Sequence, residues 1–120
     1  MKRDMNLIRA ILLEIEPYDE LISSEDIKIE GYSTKQIGYH IRLLVEAGML
    51  VAYDTTNKDN PHSFIVQYIT FSGHEFLDSI RSPKVWGKIK DITSTAAVDL
   101  SVESIKFVAT KVALAFLPIS

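Results

Sequence analysis

The sequence predicts an α+β fold in which helices flank a small antiparallel hairpin. Three observations lead to this prediction. Apolar residues recur at helical spacing near both ends, two strand-like segments flank a polar loop, and glycine or proline separates the segments. With 120 residues, of which 47% are hydrophobic, the chain is long enough for one domain with a core. We expect that domain over residues 1–82 and a helical C-terminal extension over residues 83–120.

The first predicted helix covers residues 4–16. Asp4 is its expected N-cap, and Pro17 ends it because proline restricts the residue before it and has no amide proton to donate. Residues 18–26 are polar and leave room for at most a short helical turn. Residues 27–29 alternate between apolar and polar, which predicts a short strand.

The second predicted helix begins after Ser33, an N-cap residue. It ends at Gly48, where glycine can adopt the left-handed conformation that turns the chain sharply. Residues 49–53 and 64–71 favour strands, and the polar residues 54–62 between them are typical of a loop. These segments predict a hairpin with a long tip.

Three more helices are predicted after the hairpin. Residues 73–81 return to helical spacing, Pro83 suits a first helical position, and Ser101 suits the N-cap of a last helix to about Leu117. One face of this last helix is apolar, which favours packing on the core together with homodimer formation. The candidate dimer-interface residues are Val102, Ile105, Val108, Ala109, Val112 and Phe116.

Two stretches resemble winged helix-turn-helix regulators of the MarR and PadR type. QIGYHIRLLVEAGML, residues 36–50, is similar to their recognition helix and the strand after it. YITFSGHEFL, residues 68–77, is similar to the end of their wing, where Thr70 would cap the next helix and Tyr68 would pack against the core. The resemblance implies a winged helix-turn-helix with a β-hairpin wing and extra C-terminal helices.

Nearly the whole chain also resembles an uncharacterised bacterial and phage family of unknown function. The likeness includes the opening MKRDMNLIRAILLEIE and counterparts of GYSTKQIGYHIRLLVEAGML and GHEFLDSIRSPKVW. It supports the fold and a bacterial or phage origin, and it implies no activity or site residues.

The winged-helix resemblance implies a non-catalytic transcriptional regulator that binds duplex DNA as a homodimer. The groove-facing side chains of the second helix are those that helical spacing places away from its apolar face, and the wing would add a lysine. The candidate DNA contacts are Thr34, Lys35, Gln36, Gly38, Tyr39, Arg42 and Lys58. A formal net charge of −3 works against phosphate binding, so the alternative is a protein–protein interaction module that does not bind DNA.

The sequence lacks the residue patterns of common enzyme and metal sites. There is no cysteine, and the three histidines, His40, His62 and His74, are scattered. His74 is followed by a glutamate, but Asp78 stands where a metalloprotease helix has its second histidine. We therefore expect no enzyme activity, cofactor, metal, small-molecule ligand or membrane segment. The lack of cysteine and of a signal peptide favours the cytoplasm.

Overall fold

The computed structural model describes residues 1–95 and 101–116. Over these residues the chain is α+β, with five α-helices and one three-stranded antiparallel sheet. The helices are α1 (Met5–Ile15), α2 (Thr34–Glu46), α3 (Phe71–Ile80), α4 (Pro83–Thr95) and α5 (Val102–Phe116). The strands are β1 (Ile22–Ser23), β2 (Leu50–Asp54) and β3 (Phe64–Ile69), and a 3₁₀ turn (Ser24–Asp26) follows β1.

The sheet has the order β1-β3-β2, so that β3 is the central strand. β2 and β3 form the predicted hairpin, and β1 adds a short third strand through the pair Ile22 and Val66. The hairpin register is irregular, because Val51 lies opposite Tyr68 while Ala52 lies opposite Val66. Gln67 is therefore the extra residue of a β-bulge in β3.

The strand predicted over residues 27–29 is wrong. Ile27 is buried, and its amide donates to the carbonyl oxygen of Ser24, which closes the 3₁₀ turn. The apolar–polar alternation here reflects packing rather than strand pairing. The actual strand lies at Ile22–Ser23, where pairing with a distant part of the chain decides the conformation.

The predicted ends of α2 are confirmed. The hydroxyl of Ser33 accepts from the amide of Gln36, and the side chain of Gln36 accepts from the amide of Ser33, which is a capping box. At the other end Gly48 has a φ of 75°, and the amide of Met49 donates to the carbonyl of Leu44. This is the left-handed helix end that the glycine predicted.

The chain divides into two compact units, Met1–His74 and Glu75–Ser120. In the first unit α1 packs against α2, and α2 packs against β2 and β3. In the second unit α4 packs against α5, and Trp86 of α4 is buried. The division between these units falls within α3. The domain boundary predicted from the sequence was after residue 82.

Candidate nucleic-acid interface

The loop between β2 and β3 (residues 55–63, the β2–β3 loop) lies over the middle of α2. Gly38 is buried there, and a Cβ at this position would collide with the carbonyl oxygen of His62. The prediction that Gly38 faces outward is therefore wrong. Its missing side chain permits close approach, but the group that approaches is the chain's own loop.

Arg42 holds the β2–β3 loop in this position. Its Nη2 donates to the hydroxyl of Thr56 at 2.9 Å and to the carbonyl oxygen of Pro61 at 3.3 Å. Its Nε donates to Nδ1 of His62 at 3.3 Å. Because the guanidinium is planar with several fixed donors, it can bind three loop groups at once.

Two further contacts fix the Arg42 guanidinium. It lies over the ring of Phe64, 4.8 Å from the ring centroid, and its Nη1 is 3.5 Å from a carboxylate oxygen of Asp54. The pKa of Asp54 is lowered, first by hydrogen bonds from Thr56 and then by the charge of Arg42. Arg42 was predicted to contact DNA, but its donors and its charge are directed at the loop.

The β2–β3 loop is closed by its own hydrogen bonds. The amide of Thr55 donates to the carbonyl oxygen of Ser63, and the backbones of Asn57 and Asn60 bond to each other in both directions. The side-chain oxygen of Asn57 also accepts from the amide of Asn60, a turn that asparagine favours. Lys58 is exposed between these asparagines, where its ammonium group is accessible.

His62, at the contact between α2 and the loop, lies near several positive charges. The pKa of His62 is lowered, first by burial and then by the charges of Arg42, Lys35 and the N-terminal amine. The neutral form of His62 suits this contact, because Nδ1 accepts a hydrogen bond from Nε of Arg42 and so cannot itself carry a proton. These interactions place Lys35 near the covered part of α2.

The first turn of α2 presents the remaining candidates to solvent. Thr34, Lys35 and Gln36 are exposed, although the side-chain oxygen of Gln36 is engaged in the capping box. Tyr39 is half-buried, and its ring lies edge-on to that of His62 with 5.3 Å between the centroids. Of the seven predicted contacts, Thr34, Lys35 and Lys58 are thus the exposed ones whose side chains form no hydrogen bond within residues 1–95 and 101–116.

A polar cluster on the other side of α2 was only partly predicted. His40 is 2% exposed; its Nε2 accepts from the amide of Asp4 at 2.9 Å, and its Nδ1 lies 2.8 Å from the carbonyl oxygen of Gln36. Because a carbonyl can only accept, Nδ1 carries the proton. The sequence predicted the N-cap at Asp4, but nothing local indicated that Asp4 meets His40.

Asp4 joins the beginning of α1 to this cluster. Its carboxylate accepts from the amides of Asn6 and Leu7, as predicted for an N-cap, and from the hydroxyl of Tyr32 at 2.7 Å. Burial acts to raise the pKa of Asp4, but the hydrogen bonds from Tyr32 and the two amides together lower it. The carboxylate form is therefore the one that the fold stabilises.

The apolar stripe predicted as a dimer interface is largely buried within the chain. Ile105, Ala109 and Val112 are at most 5% exposed, and α5 packs against α4. Val102 and Val108 are half-buried; the side chain of Phe116 and the whole of Leu117 lie outside the described residues. The large exposed apolar side chains of α5 are instead Phe107 and Leu114. The homodimer itself stays a prediction.

Of the two predictions made for the end of the hairpin, the one for Thr70 is confirmed and the one for Tyr68 is not. Thr70 caps α3 as predicted, since its hydroxyl accepts from the amide of Gly73 at 3.0 Å. Tyr68 was expected to pack against the core, and this is wrong because it is 57% exposed. The β-bulge beside it changes which residues of β3 face the core, and this shift cannot be seen in the local sequence.

Residues 1–95 and 101–116 contain neither a metal-binding cluster of side chains nor a membrane-spanning helix. No three histidine or acidic side chains lie close enough together to hold a metal ion. Nor does any helix in these ranges combine the length and the apolar character needed to span a bilayer.

Comparison with known proteins identifies the family. No solved structure matches the chain. A protein of Haemophilus influenzae, described as an uncharacterized protein, is 38% identical over 110 residues, which cover 91% of this chain and 92% of that protein. A family model described as "Hypothetical protein (DUF2513)" matches residues 2–99. The chain therefore belongs to the DUF2513 family.

Proposed function

We propose that this chain is a winged-helix protein, a bacterial transcriptional regulator that binds duplex DNA. The first turn of α2 and the tip of the β2–β3 loop, which is the wing in this interpretation, would contact phosphates. The order helix, short strand, helix, hairpin, helix supports it, as does the pairing of β1 with β3. The 3₁₀ turn stands where a helix-turn-helix has its supporting helix.

The position of Lys35 is the observation that carries the proposal. Lys35 is exposed in the first turn of α2. Burial, the charge of Arg42 and the charge of Lys35 all lower the pKa of His62. The only acidic residue of α2 is Glu46, at the opposite end of the helix. The positive end of the helix dipole, the exposed Lys35 and the hydroxyl of Thr34 together suit a phosphate group.

In this proposal Lys35 and Arg42 have different roles. Lys35 neutralises a DNA phosphate directly, whereas Arg42 positions the loop that carries Lys58. A protein that binds through few cations should bind weakly, and its affinity should fall as salt rises. Specific base reading would then involve the few side chains near Lys35, such as Tyr39 at the edge of the covered region.

A salt titration with random-sequence duplex DNA tests the proposal. We expect wild-type affinity to fall with rising salt, and Lys35→Ala to weaken binding and make the log–log slope shallower by about 1, the loss of one phosphate contact. Lys106→Ala, which removes an exposed lysine from α5, is the matched control and should leave the slope unchanged.

Two results would overturn the proposal. One is the absence of detectable binding at low salt, which would favour the protein-interaction module. The other is an equal change of slope in the Lys35 and Lys106 variants, because binding would then depend on total charge and not on α2.

A further inference from the structure

A groove lies beside the central strand of the sheet, within the Met1–His74 unit. Over the described residues β1 pairs with β3 only through Ile65 and Val66, so that Tyr68 and Ile69 have a strand partner on the β2 side alone. The segment after α1 runs past this part of β3 without pairing. A cavity of about 270 Å³ opens between the two.

The floor of this groove is apolar and its walls carry two tyrosines. Ile15, Ile22 and Ile69 line the groove and are themselves buried. Tyr18 and Tyr68 also line it and are 50% and 57% exposed, so that their rings remain accessible. Exposed aromatic rings beside an apolar floor favour a ligand with both apolar and polar parts.

The carboxylate-bearing residues of the groove are not matched by basic residues in its lining. Glu16, Asp19 and Glu20 line it, and none of its lining residues is a lysine or an arginine. The only other titratable groups that line it are the two tyrosines and His74. A phosphate group would be repelled here, so this surface is unsuited to DNA, and it shares no residue with the proposed DNA contacts.

We propose that this groove binds an arginine or lysine side chain of a basic segment in a partner protein. The methylene stem of such a side chain would cover the isoleucine floor, and its charged head would reach the exposed carboxylates of Asp19 and Glu20. A cation can also lie over a tyrosine ring. The cavity volume suits one long side chain rather than a folded element, and the occupant is therefore a short peptide segment.

The experiment uses two matched peptides and the full chain. The first is acetyl-Gly-Ala-Leu-Arg-Leu-Ala-Gly-amide, and the second replaces its arginine with citrulline, which has nearly the same shape and no charge. Binding is followed by amide chemical shifts and by calorimetry. We expect the arginine peptide to give saturable shifts at Tyr18, Tyr68 and His74, and the citrulline peptide to bind about tenfold more weakly.

Two charge-neutralising variants separate the groove from general electrostatics. Asp19→Asn/Glu20→Gln removes two charges from the groove and should weaken the arginine peptide about tenfold. Glu25→Gln/Asp26→Asn removes two exposed charges elsewhere and should leave its affinity unchanged. Both changes are on the surface, and circular dichroism verifies the fold of each variant.

Three results would overturn the groove proposal: no saturable shifts with millimolar arginine peptide, equal binding of the citrulline peptide, or equal weakening by the two double variants. The groove variant should retain the wild-type salt dependence of DNA binding. The groove proposal and the DNA proposal can therefore fail separately.

Discussion

The first turn of α2 and its middle turns use positive charge in different ways. Lys35, in the first turn, is exposed to solvent. Arg42, two turns later, directs its donors at Thr56, Pro61 and His62 of the β2–β3 loop. A cation on the polar face of a helix is therefore not by itself a DNA contact. A cation of α2 that the β2–β3 loop covers, such as Arg42, stabilises the fold. A cation that the loop does not cover, such as Lys35, stays accessible to a partner.

The largest expected effect is at Gly38, where the loop covers the helix. Gly38→Ala should lower the free energy of unfolding by about 1–3 kcal/mol, because the new methyl group collides with the carbonyl oxygen of His62. Gly87→Ala in α4 is the matched control, since nothing lies within 4 Å of its Cβ position. There alanine should stabilise by up to about 1 kcal/mol.

Urea denaturation of both glycine variants measures this difference. Opposite signs would confirm that the loop closes over α2. If Gly38→Ala stabilises the chain as much as Gly87→Ala does, the loop does not occupy this position in solution.

The second-largest loss of stability is expected on substitution of Arg42. Arg42→Ala removes the hydrogen bonds to the loop and the contact with Phe64, and we expect it to cost about 1–2 kcal/mol of stability. Arg42→Lys should recover little of this loss, because an ammonium group cannot reproduce the planar set of donors. Thermal denaturation measures both variants. A loss under about 0.5 kcal/mol for Arg42→Ala would show that the guanidinium does not hold the loop.

The pH dependence of stability tests the polar cluster of Asp4, Tyr32 and His40. Hydrogen bonds hold the pKa of Asp4 below its ordinary value of 3.8 in the folded chain. The stability that it contributes is therefore fully present above about pH 4 and is lost as the pH falls through the lower, folded value. Asp4→Asn keeps a capping oxygen but cannot titrate, so it should lose less stability between pH 5 and pH 2 than the wild type does.

Urea midpoints at several pH values check this prediction. Asp4→Ala is the companion variant and should cost about 1 kcal/mol at neutral pH, because it removes the cap itself. Parallel acid profiles for wild type and Asp4→Asn would contradict the role given to the Asp4 carboxylate.

Lys35 should have the smallest effect on stability. Its side chain is exposed, and Lys35→Ala should change the free energy of unfolding by less than about 0.5 kcal/mol while weakening DNA binding. Equilibrium denaturation and DNA titration of the same variant measure the two effects. A clear loss of stability would mean that Lys35, like Arg42, serves the fold.

Features of the fold that have a local cause were predictable from the sequence. Ser33 and Gly48 delimit α2, and Pro83 and Ser101 mark the beginnings of α4 and α5, because caps and turn residues act within a few positions. The outward placement of Gly38 was wrong for a non-local reason. The loop that covers it lies more than 15 residues further along the chain, and nothing in α2 reveals this contact.

The partners of β1 and of α5 also could not be predicted from the local sequence. β1 is two residues long, too short to show a period, and its partner Val66 lies far away in the sequence. The apolar stripe of α5 predicted an interface, but the same pattern serves packing against α4, which buries Ile105. Periodicity identifies a buried face without identifying what buries it.

The most direct test of the proposed DNA contact is the position of chemical-shift changes when random duplex DNA is added at low salt. The proposal predicts that the backbone amides of Thr34, Lys35 and Lys58 shift most, and that the shifts disappear as salt is raised. It also predicts no shift at Tyr18 in the acidic groove. Unchanged spectra at excess DNA, or changes confined to residues outside α2 and the β2–β3 loop, would contradict it.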